Sequence, residues 1–312
     1  MLNILRHRPP LAKSYAFHYE DVLGTSFELQ VAAADSDAAQ SAESAVLAEV
    51  DRLDRILSGY SKTSELAKWQ ETHGVDVPVS PELADVLEAA EDWREWTGGA
   101  FNAAAVSLLE SLGDRSSAGG KCERLAEIDE PLWTIDRAAG AACRRTHLAV
   151  SLDALAKGYI IDRAAACAHA ISGVTQVLVN IGGDLRHHGT RALDVAVTDP
   201  RSPAENAPPI AVVKLRGEAL ATSGGYRRSV MMGGRSVSHI IDPRAGRPAE
   251  HVISASVIAR DCAEADALST AFSVLAPEES VALSNSLGGV GCLLVRQDGT
   301  TMTNAEWQAH AA

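Results

Sequence analysis

The chain has 312 residues, with 28 Lys and Arg against 41 Asp and Glu, and a formal net charge of −13. Hydrophobic residues make up 46% and charged residues 22%, which excludes wholesale disorder and allows one large domain or two small ones with ample core. So acidic a chain lacks the broad basic face that nucleic acid or an anionic membrane requires, and neither is expected as a partner. A phosphate ligand is not excluded, because a few local groups outweigh a distant field.

No stretch approaches the roughly 18 apolar residues of a membrane span. The first residues, MLNILRHRPPLAKSYAFHYED, carry early basic groups but no apolar run behind them. As it stands, the sequence predicts a cytoplasmic protein with no membrane insertion, or a periplasmic one if an export signal has been removed. The five cysteines, Cys122, Cys143, Cys167, Cys262 and Cys292, are scattered with no CxxC pair. That fits reduced, buried thiols better than a disulfide framework or a cysteine metal site.

In chain order, residues 19–33 read as a strand, a Gly-Thr turn and a second strand. Val46, Leu47, Val50, Leu53 and Leu57 fall at helical spacing over 42–57. Ser80 can cap the next helix and Pro81 suits its first turn; Leu83, Val86, Leu87 and Ala90 form its buried stripe, and it stops before Gly98-Gly99. Residues 113–121 read as a loop. An Ala-rich helix covers 154–171, a short buried strand 176–181, and further strands lie near 193–198, 210–216 and 252–259. A Pro-rich surface loop separates the strands near 193–198 and 210–216. Asp261 and Glu264 make a capping pattern for a helix running to about Leu275. A last helix covers 278–287, and VGCLLVRQDGT ends in a hairpin turn. Interleaved helices with adjacent strands predict an α+β unit with mixed or antiparallel sheets, flanking helices and two intimate lobes. The expected divisions are an N-terminal extension at 1–18, the domain at 19–305 and a tail at 306–312.

Four glycine segments stand out: TGGAFNAAA (97–105), NIGGD (180–184), ATSGG (221–225) and HIIDPRAGRP (239–248). Glycines let backbone N–H groups approach a ligand, and Thr or Ser beside them adds hydroxyls. None is a P-loop or a dinucleotide fingerprint, and each alone fits a tight turn equally well. Asp266 and Thr270, four residues apart, share one helix face and offer two oxygen ligands for a hard cation such as Mg2+. A solvated Asp and a Thr bonded to its own helix fit the same spacing. Lys157 lies early in an apolar helix, where it can join the helix N-terminus in holding an anion or snorkel to the surface. His239 is a structural histidine or a base. Tyr60 stacks on a flat ring or covers a helix end.

Together with LGT (23–25), LSGYSKTSELAKWQ (57–70), LDALAKGYIID (152–162), SHIIDPRAGRP (238–248) and ASVIARDCAEADALSTAFSVL (255–275), these segments resemble, in their order, the ApbE family of FAD:protein FMN transferases. The resemblance runs from about Val22 to Leu294. It implies a compact α+β fold, FAD as substrate, Mg2+, and transfer of the FMN half onto a Ser or Thr hydroxyl of an acceptor protein with release of AMP. It implies cofactor contacts at Leu23, Tyr60, Ala100, Phe101, Asn102, Ser151, Lys157 and Ile241. The metal would be held by Asp266, Thr270 and the carbonyl of Ala154, and His239 matches the family's HIIDP histidine. His239 and Asp266 are then the expected catalytic residues. In relatives the acceptors are flavin-bearing subunits of electron-transfer complexes.

The chain departs from the family pattern at Ser151, Asn102 and Ser269, where relatives carry acidic residues. These departures keep two other readings open: an FAD pyrophosphatase giving FMN and AMP, and a non-enzymatic FAD-binding or delivery protein.

Overall fold

The computed structural model describes residues 13–112, 124–203, 207–225, 229–232, 235–238 and 240–312. The loop expected over 113–121 and the candidate base His239 lie outside the described residues. An eight-stranded sheet forms the centre: β1 (Lys13–Val22), β2 (Thr25–Ala33), β3 (Val174–Ile181), β4 (Asp184–His188), β5 (Ala219–Gly224), β6 (Val252–Ala259), β7 (Gly291–Arg296) and β8 (Thr301–Thr303). The strands lie side by side in chain order, and every neighbouring pair is antiparallel.

Strict alternation fixes the faces. In β2, Phe27, Leu29, Val31 and Ala33 are buried on one side, while Glu28 and Gln30 point to the other. The first face packs on helices and forms the larger core, with Val177, Val179, Ala221, Val257, Leu268 and Phe272 among its members. The opposite face carries a smaller core of Leu178, Leu185, Leu220, Ile258 and Trp307 under the hairpin Leu193–Val197/Ala211–Leu215. The two packed halves that the sequence suggests thus share one sheet.

The helices are α1 (Ser36–Leu57), α2 (Glu65–Gln70), α3 (Pro81–Trp96), α4 (Ala105–Leu112), α5 (Asp153–His169), α6 (Cys262–Phe272), α7 (Pro277–Leu287) and α8 (Ala305–His310). Helix α1 begins six residues before its apolar stripe predicts. Asp35 accepts from Ala38 N–H at 2.9 Å and starts the helix with polar residues and two alanines, which lack the bulky apolar side chains of the stripe. Ser80 caps α3 as expected, accepting from Leu83 N–H at 3.2 Å, with Pro81 in the first turn. Asp261 caps α6, accepting from Glu264 N–H at 3.0 Å.

Three expectations change. ATSGG is not a turn: Ala219–Gly224 is strand β5, between β4 and β6, and its small side chains let α6 pack closely on it. Residues 306–312 are not a free tail, since α8 buries Trp307 and Ala312 N–H donates to Val212 at 3.0 Å. Strand β1 starts at Lys13, ahead of the residue 19 boundary. The connection from β2 to β3 spans 34–173 and holds α1 to α5 with a small sheet of Asp76–Pro78, Ala141–Arg144 and Trp133–Asp136. It leaves and returns at one point, where Ala34 N–H donates to the Gly173 carbonyl at 2.9 Å.

Candidate active site

One end of the sheet gathers the glycine segments. Leu23 and Gly24 make the β1–β2 turn with φ of 51° and 72°. Positive φ at both central residues is the hairpin geometry that favours Asn-Gly, so Leu23 holds a backbone conformation that a branched side chain disfavours. Thr25 packs on the next turn: a Cβ at Gly182 would lie 2.9 Å from Thr25 Cγ2, so only glycine fits there. Asn180 Oδ1 accepts from Gly183 N–H at 3.0 Å and closes that turn.

Helices α5 and α6 cross above this end, backbone against backbone. A Cβ at Gly158 would fall 2.3 Å from the Cys262 carbonyl oxygen. Asp162 of α5 caps α6 from outside, accepting from Cys262 N–H at 2.8 Å and Ala263 N–H at 2.9 Å. Burial pushes the Asp162 carboxyl up to about 6 despite these bonds.

The close crossing brings Lys157, Asp266 and Thr270 together. Lys157 forms an ion pair with Asp184 of β4, whose side chain is 3% exposed. Asp184 is held in turn, because its Oδ1 accepts from Thr222 N–H at 3.0 Å. Asp266 is 3% exposed and its Oδ2 accepts from Gly158 N–H at 3.3 Å. Burial would strip the proton from Lys157, but the carboxylates of Asp266 and Asp184 outweigh it and hold the ammonium above its usual range. Burial raises the Asp266 carboxyl; Lys157 opposes that rise and Asp184 adds to it. Thr270 Oγ1 lies 3.2 Å from Ser223 Oγ of β5.

The other expected residues have their own local settings. Ala154 lies one turn before Gly158 on α5. Ser151 Oγ accepts from Asp153 N–H at 3.2 Å and braces the start of α5. Ser151 N–H donates to Ala103 at 2.8 Å and ties the 97–105 loop to α5. In that loop Ala100 and Phe101 are buried. Asn102 is spent on the loop itself: its Nδ2 donates to Ile128 at 3.1 Å and its Oδ1 accepts from Ala104 N–H at 2.9 Å. A carboxylate could not make the first of these bonds, which accounts for Asn at this position. Ile241 is buried in the same core. Tyr60 is 79% exposed, beside Gly59, whose Cβ would lie 3.6 Å from Asp153 Oδ1.

Sequence reasoning did not single out Asp184, Ser223 or Asp162. Asp184 and Ser223 lie inside two quoted glycine segments, and strand alternation could have turned them toward the helices once ATSGG was read as a strand.

Among the described residues, no group of three His, Cys, Asp or Glu side chains is placed to hold a metal ion. A cation here would use a carboxylate, a hydroxyl and backbone or ligand oxygens. Asp266 and Thr270 fit that role: both offer oxygen, and the buried Asp266 shares one ammonium with Asp184, which leaves carboxylate charge in surplus. A separate groove of about 300 Å3 opens on the other face of the sheet, lined in part by Glu28, Gln30, Asn180, Asp194 and Thr222. It has no basic lining residue and suits a diphosphate poorly.

The family model for ApbE matches residues 23–294 of this chain. An FAD:protein FMN transferase of Rhodobacter capsulatus is 32% identical over 248 residues, covering 76% of this chain and 46% of its own length. One of Salmonella typhimurium is 30% identical over 277 residues, covering 83% and 78%. The chain therefore spans about half the length of the first relative and over three quarters of the second. The crystal structure of the ApbE protein of Thermotoga maritima superposes with a TM-score of 0.84 at 27% identity, over 96% of this chain and 100% of that one. The matched span runs from the strained turn at Leu23 past Asp266 and Thr270 on α6. The chain belongs to the ApbE family.

Proposed function

We propose that the chain is an FAD:protein FMN transferase, moving the FMN half of FAD onto a Ser or Thr hydroxyl of an acceptor flavoprotein with Mg2+ as cofactor. The carrying observation is the cluster Lys157, Asp184, Asp266 and Thr270 at the glycine-lined end of the sheet. It combines one fixed cation and a place for a second. Relatives that bear the transferase name support the reading.

Each residue then has a task. Lys157, held by Asp184, takes a phosphate oxygen and steadies charge on the departing side. Asp266, Thr270 and the Ala154 carbonyl would hold Mg2+. Bound there, Mg2+ supplies charge neutralisation on the pyrophosphate. Leu23 and Tyr60 flank the flavin. The acceptor oxygen attacks the phosphorus nearest riboflavin, a new O–P bond forms, the pyrophosphate bridge breaks and AMP leaves with the bridging oxygen. His239 is proposed to take the acceptor's proton. The net charge of −13 gives FAD no long-range attraction, so affinity must come from this local set.

The test incubates the protein with FAD, Mg2+ and a competent acceptor. Covalent yellow fluorescence on the acceptor in a denaturing gel is expected. AMP release with an unmodified acceptor would replace transfer by hydrolysis, and intact FAD would leave binding alone.

A further inference from the structure

Three hydroxyls lie in a row behind the proposed cation site. Ser223 Oγ of β5 is 2.8 Å from Ser269 Oγ and 3.2 Å from Thr270 Oγ1, both on α6. Ser269 Oγ is 3.0 Å from the main-chain carbonyl of Asp266. A carbonyl only accepts, so the Ser269 proton is committed to it. The 2.8 Å contact must then be donated by Ser223. With the Ser223 proton committed, the 3.2 Å contact must be donated by Thr270. The row has one direction: Thr270 to Ser223 to Ser269 to the Asp266 carbonyl.

We infer that Ser223 and Ser269 are positioning residues that draw the Thr270 proton toward the sheet and turn the lone pairs of Oγ1 toward the cation. A free hydroxyl rotates and offers a cation its proton as readily as its lone pairs. A hydroxyl whose proton is already donated is a fixed oxygen ligand, and second-layer partners of this kind set metal affinity. The relay also gives the Ser269 hydroxyl a task that an ionised carboxylate could not perform: a hydroxyl can pass the donation on, whereas a carboxylate can only accept it. Ser269 is fully buried, as a relay member shielded from water should be. The inference rests on the reading that Asp266 and Thr270 hold a divalent cation.

The experiment titrates Mn2+ into the full chain saturated with FAD and follows free Mn2+ by its EPR signal, with FAD alone as the blank. Ser223→Ala is expected to weaken Mn2+ binding about tenfold. Ser223→Thr keeps the hydroxyl and is expected to stay within about threefold of the parent. In a Thr270→Val background, Ser223→Ala should cause no further loss, because the hydroxyl it orients is gone; a general disturbance of the fold would appear equally in both backgrounds. Unchanged binding in Ser223→Ala, a Thr substitution as damaging as Ala, or an equal loss in the Thr270→Val background would each overturn the relay alone. No saturable Mn2+ binding by the parent protein would overturn the cation reading and the relay with it.

Discussion

Leu23 sits at φ 51° in a turn whose geometry suits Asn followed by Gly. Leu23→Asn should raise the free energy of unfolding by about 0.5–1 kcal/mol in urea, since Asn tolerates the left-handed region. The same change should weaken FAD binding roughly tenfold, measured by fluorescence titration, because an apolar flavin contact is lost. A gain in stability without a loss of affinity would separate Leu23 from the ligand. Asp266→Asn tests the other side of the site. It keeps an acceptor for Gly158 N–H but removes a buried charge. Mg2+-dependent transfer should fall about 100-fold or more while the unfolding midpoint holds or rises. Residue type and helical spacing single out Lys157, Asp266 and Thr270 in the sequence as candidates for phosphate and cation chemistry, and the structure pairs Lys157 with Asp184 and buries Asp266. Asp184 was not legible, because a carboxylate inside NIGGD announces a turn before it announces a partner for Lys157.

Among the elements, the crossing of α5 and α6 decides whether the site exists. Gly158→Ala would gain helix propensity of about 1 kcal/mol. It would also drive a methyl into the Cys262 carbonyl, a backbone atom that cannot turn aside. The net expectation is a destabilisation of about 2 kcal/mol in urea unfolding, together with reduced transfer because Lys157 and Asp266 are pushed apart. Helices α3 and α6 were legible almost to their ends, since Ser80 and Asp261 each cap an apolar stripe. Strand β5 was missed because, apart from Leu220 and Thr222, it is built of Ala, Ser and Gly and shows no clean alternation. Its strand character comes from its neighbours β4 and β6. The cap that Asp162 supplies to α6 crosses from another helix, and no local pattern encodes it.

For the molecule as a whole, the C-terminal helix is fastened by charge. His310 Nδ1 lies 2.9 Å from the Glu306 carbonyl, and Nε2 lies 2.9 Å from the Glu218 carboxylate. Both partners accept, so the two contacts are hydrogen bonds together only when both ring nitrogens carry protons and the imidazole is charged. Burial opposes protonation, but Glu306 and Glu218 outweigh it and raise the pKa. A raised folded pKa makes the contribution complete below the unfolded value of about 6.5 and removes it as pH climbs through the folded value. The stability difference between the parent and His310→Gln should therefore be larger at pH 5.5 than at pH 9 in urea titrations. The overall architecture was legible as α+β from the order of segments. The meander of the sheet was not, because pairing β2 with β3 requires knowing that 34–173 returns to its own starting point.

That return has a kinetic meaning. Every neighbouring strand pair but β2–β3 is joined by a shorter loop, so the sheet can grow from two nuclei: the β1–β2 hairpin and the stretch from β3 onward. Joining them closes a loop of roughly 140 residues, an entropic cost of about 4 kcal/mol for a flexible chain that folding of the helices within it lowers. Lys157 rides on the looped segment, whereas Asp184, Ser223, Asp266 and Thr270 lie beyond it. The newly made chain thus carries Leu23, ahead of the loop, on one nucleus and Asp184, Ser223, Asp266 and Thr270 on the other. The proposed flavin contact at Leu23 meets the proposed phosphate and cation residues only at the step that unites the two nuclei.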